Sequence, residues 1–349
     1  MDDRNAQVGW TEAQWNRVRE EVLQAWQRVR VAGSFLPTYG PLPPSTQVVP
    51  TEVLSDGAVD DRATAALLEI ALPVTLSRQQ LWEEDLSSAL LQFRRRATQL
   101  GQLEDWYIFN GTYPSLGATT APFDFAKDYR PELSHLDATK LPDKWVPISG
   151  TPKPIQGVGH RLQIEGMRQR NPGSLGLIEG PRAEYAEQSK LADESLDNKG
   201  LTQAILGAIN SLEEAGYVAP YVCVLGREPF QAAFTPLNNS TVVPRDRIEP
   251  LIGRGLLHAS SIDVLPHGLV MSDDDKKKWP RRGVLLSMSN EPIDLALAAE
   301  ATPEFRQVDV EGGYVFSVSE RFALRIKDAK AIVPLMFKEA PGTASSAKP

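Results

Sequence analysis

The sequence predicts an α+β protein, and three patterns carry that prediction. Residues 86–111 place apolar side chains at steps of three and four over about 25 residues, as in one long amphipathic helix that ends at a glycine. Residues 201–215 form a second such pattern, which leads into the apolar strand Tyr221–Leu225. From residue 305 onward, apolar and polar residues alternate with period two, which is typical of antiparallel strands.

The N-terminal helix begins at a capping signal. Residues 11–14 read Thr-Glu-Ala-Gln, a capping-box pattern, and an apolar stripe follows at helical spacing up to about Val31. The stripe consists of Trp15, Val18, Val22, Trp26 and Val29. Two interpretations stay open. The stripe packs on its own domain, or part of it is a groove in which another chain docks.

Residues 37–76 predict an extended connection followed by an arm. Residues 37–50 hold five prolines, and residues 51–76 contain two strand-prone pieces around the turn signal Ser55-Asp56-Gly57. Such a hairpin has little core of its own, so we expect it to pack against a neighbour. After the long helix, residues 112–172 hold eight prolines and scattered aromatic residues, which predicts an ordered, loop-rich insertion. The polar tail at 339–349 is expected to be disordered.

Composition excludes several classes of protein. A net charge of −8 over 349 residues argues against nucleic-acid binding as the main task. The single cysteine, Cys223, falls within an apolar strand and cannot form an internal disulfide, which fits a reducing compartment. The N-terminus lacks the pattern of a signal peptide, and no apolar run is long enough to span a membrane. We therefore expect a soluble, cytoplasmic protein.

No motif predicts catalysis. The four histidines have no carboxylate or cysteine at ligand spacing, and dinucleotide, P-loop and nucleophile-elbow motifs are missing from the sequence. Glu104 and Asp105 are adjacent, so on a helix they point about 100° apart and cannot form a paired-acid site alone. A helix-end ion pair or a cap is the expected role for them. The sequence predicts a protein that is not an enzyme and uses no cofactor and no metal.

Several segments, taken in order, resemble the encapsulin family, whose shell proteins share the Hong Kong 97 tailed-phage capsid fold. The resemblance rests on TEAQW at 11–15, LPVTLSRQQLWEED at 72–85, LEDWYIFNG at 103–111 and SLGLIEG at 174–180, and on longer stretches at 201–230, 244–272 and 293–335. Together these pieces cover about 40% of the chain. The resemblance is closest to the branch that has no cyclic-nucleotide-binding domain.

The resemblance implies a P-domain built on a spine helix and antiparallel strands, an A-domain, and an extended E-loop that interlocks neighbouring subunits. The implied boundaries are 1–42 for the N-terminal helix and start of the P-domain, 43–76 for the E-loop, 77–111 for the spine helix, 112–172 for the insertion, 173–199 for P-domain, 200–292 for the A-domain, 293–338 for the closing P-domain strands, and 339–349 for the tail.

The resemblance also implies a function and candidate sites. Members form closed icosahedral shells of many copies around a cargo enzyme, which is captured through a C-terminal targeting peptide, and pores admit small molecules. The implied cargo-docking residues are Val22, Trp26, Val29 and Ile332. The implied pore loop contains Pro236, Asn238, Asn239, Ser240 and Pro244, and it is polar and nearly uncharged.

The chain departs from the family pattern in the insertion at 112–172, and residues 43–70 match only loosely. Two alternatives to a nanocompartment shell stay open. One is a phage or prophage major capsid protein, which neighbouring portal, protease and terminase genes would favour. The other is an enzyme in its own right, which would require turnover by the purified protein without cargo.

Overall fold

The computed structural model of the protein describes residues 5–43, 45–55, 58–60, 63–111, 177–178, 194–195, 198–236, 241–263, 281–310 and 312–338. The predicted insertion and tail lie outside these residues, as does most of segment 173–199. The helices are α1 (Glu12–Val29), α2 (Arg78–Leu81), α3 (Ser87–Asn110), α4 (Asn198–Glu214), α5 (Arg227–Ala233) and α6 (Pro244–Ile252).

The strands form two larger sheets and two short ladders. They are β1 (Thr38–Tyr39), β2 (Val48–Pro50), β3 (Val53–Ser55), β4 (Ala58–Asp60), β5 (Thr64–Ala66), β6 (Leu68–Leu76), β7 (Glu194–Ser195), β8 (Tyr221–Leu225), β9 (Gly253–His258), β10 (Arg282–Ser287), β11 (Ile293–Val308), β12 (Tyr314–Ile326) and β13 (Ile332–Lys338). One sheet has the order β1-β11-β12-β6, and the other has the order β7-β13-β10-β8-β9.

The four-stranded sheet confirms the period-two pattern predicted near the C-terminus. Strands β11 and β12 form a long antiparallel hairpin, β6 pairs antiparallel with β12, and β1 pairs parallel with β11. Even-numbered apolar residues of β12, such as Phe316 and Phe322, join the core under the helices, whereas Ala323 faces the opposite side of the sheet. Strand β12 therefore has a helix-covered face and a second face that carries other elements.

Helix α1 has the predicted capping box, with the Thr11 and Gln14 side chains each bonded to the other residue's backbone N–H. It packs lengthwise on α3, and Gly101 allows the close approach. A Cβ atom at position 101 would lie 2.7 Å from Val29 Cγ2 and 3.0 Å from the Trp26 carbonyl oxygen. Any larger residue would therefore push the two helices apart.

Helix α3 confirms the predicted long helix with nearly the predicted ends. Leu86 precedes it with a φ of 54°, and Gly111 closes it with a φ of 74°, a conformation that glycine adopts without strain. All residues from Leu103 to Gly111 are buried. At the C-terminal end, Asn110 Nδ2 donates to the carbonyl oxygens of Trp106 and Ser261. The second bond connects the helix to the segment that follows β9 of the five-stranded sheet.

The five-stranded sheet holds the predicted pair of α4 and β8, and Cys223 is a fully buried strand residue, as expected. Strand β13 pairs antiparallel with β10 over five residues and so lies in this second sheet, not beside β11 and β12. The domain boundaries, that of segment 293–338 included, stay predictions. Within the described residues, no helix combines the length and apolar character needed to cross a membrane.

Candidate functional site

The four predicted docking residues occupy different environments. Val22 and Trp26 are fully buried on the inner face of α1, and Ile332 is buried in the same core. Val29 is half-buried at the end of the helix. Docking at α1 stays a prediction. Of these four side chains, only Val29 offers appreciable surface to a partner, while the other three hold the protomer together.

The predicted role of Glu104 and Asp105 is confirmed. Arg30, next to the end of α1, donates through Nε and Nη2 to the two carboxylate oxygens of Glu104, each at 2.5 Å. Asp105 accepts the backbone N–H groups of Val31 and Ala32 at 2.7 and 2.9 Å. Glu104 is therefore one half of a buried ion pair, and Asp105 caps the short 3-10 helix that follows α1.

Glu320, on β12, belongs to the same buried cluster. Its side chain is fully buried, and neither its carboxyl oxygens nor the Trp26 indole N–H forms a hydrogen bond of good geometry with any described residue. Burial raises the pKa of Glu320 well above 4.5, the Glu104 charge raises it further, and Arg30 opposes both effects. Burial likewise raises the pKa of Asp105 to about 8. Three carboxyl groups share one guanidinium here, so the fold favours the protonated form of at least one carboxyl group.

Sequence reasoning missed Glu320, although the signal was present. The residue falls on the register of Phe316, Val318 and Phe322, which is the helix-covered face of β12. A glutamate at a core-facing strand position predicts a buried partner or a bound proton.

Metal and nucleophile chemistry find no support in the part of the chain that the structure describes. No group of three or more His, Cys, Asp or Glu residues in these ranges could hold a metal ion. The ring of His258 packs against Phe230 at 5.1 Å, and partial burial lowers the pKa of the imidazole, with Arg227 adding to the effect. Burial raises the pKa of the Cys223 thiol far above its usual range, so this thiol is unreactive.

The pore-loop prediction is only partly inside the described residues. Pro236 is exposed beyond α5, and Pro244 is buried as the first residue of α6. Asn238, Asn239 and Ser240 lie outside the described residues. The assignment of this loop to a pore stays a prediction.

The described residues of segment 48–66, called the ribbon below, lie beside the four-stranded sheet. They contain two antiparallel ladders, β2 with β5 and β3 with β4. The base of the ribbon packs on the sheet through Val49 and Ala65, whereas Val48 and Val59 are 51% and 59% exposed. The described part of the ribbon thus presents apolar surface that no other described part of the protomer covers.

Comparison with known proteins agrees with this architecture. Residues 173–277 match the model of a family described as "Encapsulating protein for peroxidase". The virus-like particle protein of Pyrococcus furiosus is similar over 93% of this chain and 100% of its own, with 9% identity and a TM-score of 0.52. No protein of curated function matches the sequence.

Two further solved structures align over similar lengths with lower scores. The SrpI encapsulin complex of Synechococcus elongatus matches over 89% of this chain and 88% of its own, at 10% identity and a TM-score of 0.44. The Mycobacterium phage Bobi structure matches over 92% and 91%, at 13% identity and a TM-score of 0.44.

The match to the virus-like particle protein confirms the predicted Hong Kong 97 capsid-type fold. The family match at 173–277 confirms the resemblance to the encapsulin family.

Proposed function

We propose that this chain is the protomer of a self-assembling icosahedral nanocompartment in the cytoplasm. The shell encloses a cargo enzyme that carries a C-terminal targeting peptide, and its pores admit small molecules. The protein itself has no catalytic role. The observation that carries the proposal is the ribbon, whose apolar surface lacks a partner within the described part of its own protomer.

The ribbon supports assembly for a physical reason. Isolated two-stranded ladders are marginally stable in water, and an exposed strand edge favours pairing with another chain. Val48 and Val59 would be covered if the ribbon lay on a second copy. Repeating one such contact around symmetry axes produces a closed shell.

Assembly can be tested by negative-stain microscopy and mass photometry of the purified full chain. We expect uniform hollow particles from the wild type, and folded but unassembled protein from Val48→Asp and Val59→Asp. The matched control is Gln24→Asp, which adds the same charge on the exposed side of α1. Only monomers or small oligomers from the wild type would refute the shell.

Cargo capture is tested separately, by co-expression with proteins encoded beside this gene. We propose docking near the end of α1, where Val29 keeps accessible surface. Val29→Ser is expected to lower cargo loading while particle yield stays constant, and Arg28→Ser on the exposed face is the control. Equal loading in both variants would remove this surface from the proposal.

The same particles distinguish a nanocompartment from a phage capsid, which has the same fold. A protein-like ratio of absorbance at 260 and 280 nm and an internal enzyme are expected for the nanocompartment. Packaged nucleic acid would favour the capsid. For the pore, replacing the uncharged Asn238 and Asn239 with Asp is expected to slow the entry of anionic substrates more than neutral ones.

A further inference from the structure

Strand β12 carries two arginines on the face opposite the helices. Arg321 and Arg325 are four residues apart, so both point to the side of the sheet on which the ribbon lies, with Ala323 between them. Their spacing along an extended strand is about 13 Å. The two guanidinium groups therefore reach the ribbon at separate points.

Arg325 holds the end of β2. Its Nε and Nη2 atoms donate to both carboxylate oxygens of Asp294 at 2.6 and 2.5 Å, and its Nη1 donates to the Pro50 carbonyl oxygen at 2.9 Å. The guanidinium also stacks 3.6 Å from the centre of the Tyr39 ring. Arg325 and Asp294 are both buried, and Lys327 adds a second cation 2.9 Å from Asp294. The contacts with Asp294 and Tyr39 thus hold the guanidinium in place for its bond to the ribbon.

Arg321 holds the chain just before β2. Its Nη2 donates to the Thr46 carbonyl oxygen at 2.6 Å, and its Nε lies 3.8 Å from a carboxylate oxygen of Glu69 on the neighbouring strand β6. Strand β12 therefore holds the chain at the end of β2 and two residues before its start. Together with the direct continuation of β5 into β6, these two attachments restrain the direction of the first ribbon strand.

The apolar contact beneath the ribbon cannot define that direction alone. It consists of Val49, Ala65 and Leu67 lying on three alanines of the sheet, namely Ala296, Ala298 and Ala323. Alanine side chains present only shallow ridges and grooves, so this contact restrains the direction of the ribbon less than larger, interlocking side chains would.

We propose that Arg321 and Arg325 form a two-point clamp that fixes the direction of the ribbon, and that this direction sets the angle at which the ribbon docks on a second copy of the chain. Because a closed shell repeats the same contact at every symmetry-equivalent position, the clamp determines how uniform the particles are in size. This inference rests on the proposed shell function.

The test replaces each planar guanidinium group with a single ammonium group, in Arg321→Lys, Arg325→Lys and the double variant. Hydrogen exchange of residues 48–66 is measured by mass spectrometry, and particle diameter by electron microscopy. We expect exchange in the ribbon to become about tenfold faster in the double variant, with α3 unchanged, and the diameters to spread from one value to several.

The control is Arg94→Lys, which alters an exposed ion pair with Glu21 on the helix side of the protomer. Unchanged ribbon exchange in the double variant would overturn the clamp, and faster exchange with wild-type diameters would overturn its role in size. If the buried Arg325 variant fails to fold, the same comparison is made with Arg321→Lys alone. If the wild type forms no particles, the shell function fails, and exchange in the protomer still decides the clamp.

Discussion

Replacing Glu320 with Gln is expected to remove a pH dependence from the stability of the protein. The side chain is fully buried beside Glu104, and burial raises its pKa in the folded state well above the unfolded value of 4.5. Its contribution to stability is thus fully present below pH 4.5 and is lost as the pH rises toward the folded pKa. Glutamine has a similar shape and no charge to bury.

The magnitude follows from proton linkage. Above pH 4.5 the unfolded chain releases this proton, and folding with Glu320 protonated takes it up again. Each pH unit between the unfolded and the folded pKa lowers the stability of the wild type by about 1.4 kcal/mol, a cost that the Glu320→Gln variant does not have. Glu104 and Asp105 belong to the same cluster, so the difference between the two proteins reports the proton that the cluster holds when Glu320 is present.

The assay is unfolding by heat or denaturant at pH 5.5, 6.5 and 7.5, at one fixed protein concentration because assembly adds to apparent stability. The control is Glu300→Gln, which changes an exposed glutamate on the neighbouring strand β11. We expect the stability advantage of Glu320→Gln over the wild type to grow with pH and that of the control to stay flat. Parallel wild-type and Glu320→Gln profiles across this range would refute the assignment of a bound proton to Glu320.

Three further outcomes follow from the packing of α1 on α3. Trp26→Asp should yield insoluble protein, because it buries a charge at a fully buried site, and Trp26→Ala should lower the free energy of unfolding by about 3–5 kcal/mol in denaturant titrations. Gly101→Val should lower the free energy of unfolding by about 1–3 kcal/mol in the same titration, since the valine side chain would collide with Val29 and the α1 backbone. The control, Thr98→Val at a half-buried position of α3, should lower it less. Asp105→Ala should lower the free energy of unfolding by about 1–3 kcal/mol and speed amide hydrogen exchange at residues 31–32, because their N–H groups lose their acceptor. Unchanged exchange at these two residues would contradict the capping role of Asp105.

Local patterns predicted the helices and strands well where the periodicity was long. The capping box of α1, the two ends of α3 and the alternation along β12 all follow from neighbours within a few residues. The same patterns left two interpretations open where two structures share one period. A stripe of tryptophan and valine at helical spacing has the same appearance whether it faces a core or a binding partner, and Trp26 faces the core.

The sheet membership of β13 was also beyond local reasoning. Residues 332–337 are all apolar, so no alternation of apolar and polar residues indicates which sheet the strand joins, and a short 3-10 helix at residues 329–331 separates it from β12. Hydrogen bonding to β10 places it in the other sheet, and that choice depends on a partner about 50 residues away.

The amino-acid sequence by itself determined the type of each long element, because helix and strand periods are local properties of the chain. It also determined that the protein carries an arm with little core and no recognisable catalytic motif. Only the tertiary structure decided which charges meet. Arg30, Glu104 and Glu320 come from three separate parts of the chain, and Arg325 reaches Pro50 across 275 residues. Such contacts are set by the packing of whole elements, and no local pattern encodes the distance between them.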